Sequence, residues 1–95
     1  MYSFSYTDDA IKSIKNLDAE WKKKIKKSIE LCLSEPYKLT SRCNKKQIKG
    51  SKFKTYRLHV SMTYTVFYRV NDNEKTVLIV NILGINQAHS KYSIV

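Results

Sequence analysis

The stretch Lys45–Val70, KKQIKGSKFKTYRLHVSMTYTVFYRV, limits the fold more than any other part of the chain. Apolar or aromatic residues recur at every second position through Tyr56, Leu58 and Val60, and again through Tyr64, Val66, Tyr68 and Val70. That is the period of two extended strands. Arg57, His59, Thr65 and Arg69 fall between them. Successive side chains of a strand point to opposite faces, so a hairpin of these residues has one apolar face and one that carries cations and an imidazole. Lys45, Lys46, Lys49, Lys52 and Lys54 lead into it through a basic turn. A polyanion fits such a face, and the rest of the chain reads as what the sheet packs on.

The flanking segments supply that packing. Tyr2 to Tyr6 alternates aromatic with small polar residues, the pattern of a short strand with one buried face. Thr7 is placed to cap a helix whose first turn holds Asp8 and Asp9, where the helix dipole favours carboxylates, and whose Ala10, Ile14 and Leu17 share a face. Asp18 is placed to cap a second helix that runs to about Leu33 before Pro36. Its apolar stripe is Trp21, Ile25, Ile29 and Cys32 or Leu33, and its lysines, from Lys22 to Lys27, fill a solvated face. Residues 35–44 read as a polar loop. After the hairpin, Asn71–Lys75 is a turn by composition, and the β-branched run Thr76–Leu83 suits an inner strand ending at Gly84. The order strand, helix, helix, three-stranded meander predicts an α+β fold (β-α-α-β-β-β) with two N-terminal helices packed on a small twisted antiparallel sheet.

With 95 residues, 42% of them hydrophobic, the chain is expected to form a single domain over residues 1–95. Lys and Arg outnumber Asp and Glu by 18 to 8, a net charge of +10 that favours nucleic acid or a strongly acidic protein as partner. Cys32 and Cys43 lack CxxC spacing and suggest neither a disulfide scaffold nor a metal site, with Cys32 read as core packing. No apolar run approaches about 18 residues and no signal-peptide pattern is present, so a soluble, cytoplasmic protein with no membrane partner is expected.

In order and spacing these pieces resemble the RelE/ParE superfamily of small toxins from type II toxin–antitoxin pairs. The resemblance runs through the Phe4–Leu17 helix region, Ser34-Glu35-Pro36, Ile48-Lys49-Gly50, Tyr56-Arg57-Leu58, the strand Val66–Val70 and the apolar strand ending at Gly84. It implies a RelE-like fold and, in the RelE/YafQ-like branch, an mRNA interferase. Such a toxin is an endoribonuclease that cuts mRNA on the ribosome, inhibits translation and is held inactive by a cognate antitoxin. Metal-free RNA cleavage needs a base for the 2′-hydroxyl, positive charge at the phosphate and an acid for the leaving oxygen. The resemblance maps the catalytic roles onto Arg57 and His59, and onto His89 in the segment His89-Ser90-Lys91-Tyr92. Lys46, Lys49, Lys52, Lys54 and Arg69 are the phosphate candidates, and Tyr92 either stacks on a base or covers the end of the core. No metal or small-molecule cofactor is expected. The chain departs from RelE at Thr65 and at Asn86 or its neighbour, where RelE carries arginines. Two other readings stay open: a ParE-like inhibitor of DNA gyrase, and a catalytically inactive RNA-binding member.

Overall fold

The computed structural model describes residues 2–40, 42–48 and 54–84. In chain order the elements are β1 (Ser3–Tyr6), α1 (Asp8–Lys15), α2 (Ala19–Leu33), β2 (Asn44–Gln47), β3 (Tyr56–Val60), β4 (Tyr64–Asn71) and β5 (Thr76–Gly84). Both helix starts are capped as the sequence predicts. Thr7 accepts a hydrogen bond from the Ala10 amide, and Asp18 accepts one from the Trp21 amide at 2.9 Å. α2 ends at Leu33, and Pro36 in the connection that follows cannot continue it.

The strands form one mixed sheet in the order β1-β5-β4-β3-β2. β3, β4 and β5 make the expected antiparallel meander, with Leu58 opposite Val66 and His59 opposite Thr65. The sheet differs from the expected antiparallel one in two respects. β1 joins it parallel to β5, because α1 and α2 carry the chain across before it returns. Residues 44–47, read in part as the end of a loop and in part as a basic turn, form the strand β2, antiparallel to β3. Four charged and amide side chains hide its extended character, since the pairing comes from β3 and not from local propensity.

Both helices pack on one face of the sheet. Ala10 of α1 and Ile25, Ile29 and Leu33 of α2 are buried against Leu58, Val66, Tyr68, Val77, Ile79 and Ile82. Each fully buried aliphatic side chain contributes about 1.5–3 kcal/mol relative to an exposed one. Tyr56, Tyr64 and Tyr68 belong to this core, with Tyr56 and Tyr68 stacked and Trp21 meeting Tyr64 edge to face. The opposite face is not purely polar: Phe67 is fully buried there in a second, smaller cluster with Ile48, Val80 and Leu83. β5 serves both clusters because its register against β4 slips by one residue beside Phe67 and Tyr68. Val77 and Ile79 face the helices before the slip and Ile82 after it, which turns Val80 and Leu83 to the other side.

The cysteine expectation is overturned. Cys32 and Cys43 form a disulfide, their Cα atoms 5.7 Å apart. The cause is tertiary: β2 starts beside the last turn of α2, so two thiols 11 residues apart in sequence meet at bonding distance. Cys32 is also a core residue, as read. No helix among the described residues is long and apolar enough to cross a membrane.

Candidate functional site

Three strands build the candidate site on the face away from the helices. In β3 the alternation that buries Leu58 and Val60 turns Arg57 and His59 the other way. The antiparallel register sets Lys46 of β2 directly opposite Arg57, and sets Asn44 of β2 and Thr65 of β4 on either side of His59. Directly opposed residues share a face, so Lys46–Arg57–Phe67 and Asn44–His59–Thr65 are adjacent rows across the sheet.

The two central side chains are held. His59 Nδ1 lies 2.9 Å from the Thr65 hydroxyl, and Thr65 itself is fully buried. The contact holds the imidazole ring in place, and because a hydroxyl can both donate and accept it serves either tautomer. Arg57 donates from Nη1 to the Asn44 side-chain oxygen at 3.4 Å, a long bond that steers the guanidinium without occupying its fork. Both residues are partly exposed, and Lys46 and Lys54 are exposed.

Arg69 shares this face. The register slip lies in β5, and the ladder between β3 and β4 is continuous, so β4 keeps strict alternation through Thr65, Phe67 and Arg69. Arg69 is partly buried and donates from Nε to the hydroxyl of buried Thr55 at 3.3 Å. Lys45 works elsewhere: on the helix side, its Nζ donates to the carbonyls of Cys32 at 2.8 Å and Glu35 at 3.2 Å, which caps the end of α2. Burial there lowers its pKa from the usual lysine value.

Of the predicted site residues, the structure brings together Arg57, His59 and Lys46, with Arg69 on the same face and Lys54 next to β3. His89, Lys49, Lys52, Tyr92 and Asn86 lie outside the described residues. Two contributors escaped the sequence reading as site residues, Asn44 and Thr65. The alternation placed Thr65 on the face of Arg57 and His59, and the family resemblance marked it as a departure from an arginine, but neither gave it a role. Asn44 could not be placed before the register of β2 was known. Among the described residues no group of three or more His, Cys, Asp or Glu is placed to hold a metal ion.

Several solved structures share this fold. RelE in the archaeal RelE–RelB complex from Pyrococcus horikoshii OT3 superposes with a TM-score of 0.73 at 17% identity, over 90% of this chain and 97% of that one. A YafQ point mutant from E. coli gives a TM-score of 0.72 at 17% identity, over 93% and 98% of the two chains. The RelB–RelE antitoxin–toxin complex from Methanococcus jannaschii gives 0.67 at 25% identity, over 90% and 94%. Two capped helices on one face of this mixed sheet therefore define a RelE-like toxin fold. Comparison with curated proteins finds no match in sequence. Residues 4–88 match the family model described as the ParE toxin of type II toxin–antitoxin system, parDE. The chain belongs to this family, within the RelE/ParE superfamily of toxins.

Proposed function

We propose that the toxin acts as a ribosome-dependent mRNA endonuclease and that the β2–β3–β4 face receives the RNA strand. The observation that carries this reading is Arg57 and His59 side by side on one sheet face, with Lys46 across from Arg57 and a buried Thr65 hydroxyl holding the imidazole. Arg57 offers a planar donor fork to the scissile phosphate, and Lys46 adds a second positive charge. His59 exchanges the proton: it takes it from the 2′-hydroxyl as that oxygen attacks phosphorus, or gives it to the departing 5′-oxygen. The products are a cyclic phosphate and a free 5′-hydroxyl. His89 is proposed as the second proton carrier, so that one imidazole acts as base and the other as acid. Lys54 and Arg69 add positive charge near this face, Lys49 and Lys52 are proposed as further phosphate contacts, and Tyr92 is proposed to stack on a base.

A cognate antitoxin is the second proposed partner. The solved relatives RelE from Pyrococcus horikoshii OT3 and from Methanococcus jannaschii are complexes with RelB. A net charge of +10 favours an acidic segment that covers this face. The match to a ParE toxin model supports a second reading, inhibition of DNA gyrase by binding alone. One experiment separates the two. Purified protein is incubated with programmed ribosomes, and in parallel with gyrase and DNA. Cleaved mRNA that is lost in His59→Ala, His89→Ala and Arg57→Ala supports the nuclease. Intact mRNA with stabilised gyrase–DNA cleavage complexes supports the alternative.

A further inference from the structure

The Cys32–Cys43 disulfide has a position that the proposed chemistry does not use. It joins the last turn of α2 to the residue before β2, an edge strand paired only to β3 among the described residues. β2 carries Asn44, which steers Arg57, and Lys46, which lies opposite it. Beside the four-residue ladder to β3, the disulfide, the buried packing of Cys43 and the Lys45 bonds to the Cys32 and Glu35 carbonyls tie the start of this strand to the end of α2. Cys32 and Cys43, each buried to within a few per cent, form part of the lining of a cleft of about 320 Å³ that Lys38, Arg42, Lys45 and Glu35 also line. A cleft with three cations and one carboxylate attracts an incoming thiolate.

We propose that this disulfide is a reversible covalent lock on the β2 half of the site, opened by a small dithiol reductant that enters through the cleft. A thiolate of the reductant attacks one cysteine sulfur, and the other leaves as a thiolate and takes up a proton. The reductant's second thiol then attacks the mixed disulfide and releases the first cysteine. Two electrons and two protons end on Cys32 and Cys43, and the reductant leaves as its own disulfide. The reduced chain keeps its fold, because the helix-face core and the Lys45 bonds remain. It loses the constraint on the connection between α2 and β2, so β2 opens more often and Asn44 and Lys46 are less often in place beside Arg57. For a loop of this length, the chain-entropy effect corresponds to about 100-fold in the opening equilibrium as an upper bound.

The effect on cleavage rests on the nuclease reading, but the opening of β2 does not. The full chain is studied in air-oxidised and dithiothreitol-reduced forms, with alkylation and mass measurement to establish the thiol state and amide hydrogen exchange to follow each strand. The expected result is exchange of the Asn44 and Lys46 amides, the ones that β2 directs at β3, at least about tenfold faster after reduction, with β4 and β5 unchanged. Programmed-ribosome cleavage is expected to fall severalfold on reduction of the wild type. A Cys32→Ser/Cys43→Ser variant stays at the reduced level and ignores dithiothreitol. Faster β2 exchange without cleavage in either state supports the lock and overturns the nuclease reading. Equal β2 exchange in the two states, or two alkylatable thiols in the oxidised preparation, overturns the lock, and the wild-type comparison decides this even if the double variant fails to fold.

Discussion

Thr65→Val tests how far the candidate site depends on one buried hydroxyl. Valine matches threonine closely in volume, so it fills the same fully buried position between His59 and Leu83 in the sheet, and what changes is the 2.9 Å contact to His59 Nδ1. Loss of one such hydrogen bond costs about 1 kcal/mol, the low end of the range, because His59 is half-exposed and water can reach it. In a domain of this size that lowers the melting temperature by about 4–8 °C. Thr65→Ser supplies the matched control: it keeps the hydroxyl and removes one methyl group, at a similar cost of about 1 kcal/mol. The two variants should therefore melt alike and act differently. Positioned proton transfer contributes about 10²–10⁴-fold to catalysis, and an imidazole without its Thr65 contact is expected to forfeit half of the lower exponent, about tenfold in cleavage rate. The assay pairs thermal melts with programmed-ribosome cleavage and with nitrogen NMR of the His59 ring, whose shifts report the tautomer. If Thr65→Val and Thr65→Ser cleave equally and the ring signals of Thr65→Val match the wild type, Thr65 does not position His59 and the argument for the site fails.

Arg57→Ala should weaken RNA binding about tenfold or more, and Arg57→Lys should recover only part of it, because the ammonium lacks the fork. Lys46→Ala should reduce the salt dependence of single-strand binding by about 0.7 in log–log slope, measured by titration at several salt concentrations; an unchanged slope places Lys46 off the RNA path. In alkali, stability should hold to about pH 10, the ordinary tyrosine value, and fall above it. Burial and the Asp72 carboxylate push Tyr37 up to about 12, burial raises Tyr68 and Tyr6, and the Asp72 hydrogen bond raises Tyr2. The sign follows because the folded state holds these protons more tightly than the unfolded one, so stability is complete below the unfolded value and drains as pH climbs towards the folded ones. Denaturant melts across alkaline pH check this, and Asp72→Asn should shift the tyrosinate absorbance of Tyr37 to lower pH. Met62→Gly should stabilise the chain by about 0.5–1 kcal/mol in denaturant unfolding, since Met62 sits at φ 56° in the β3–β4 turn, where a side chain is strained.

What the amino-acid order determined by itself is whatever depends on neighbours along the chain. Thr7 and Asp18 announce the helix starts because a capping oxygen reaches an amide three residues on. The β3–β4 alternation places Arg57 and His59 on one face because the pleat has a period of two. What only the tertiary structure decided involves residues far apart in sequence or turns without their usual residues. Ser61 and Met62 adopt positive φ in a hairpin turn that contains neither Gly nor Asn, so its tightness was not legible. Phe67 lies on the cation-bearing face and is nonetheless buried, because Ile48 and a slipped β5 bring apolar side chains to it. β2, the disulfide and the pairing of Asn44 with His59 share one cause: Asn44–Gln47 has no strand signal of its own, and becomes a strand only where β3 offers an edge beside the end of α2. A local pattern can say which way a side chain points, but which distant side chain it meets depends on strand register, and register is set by the packed sheet.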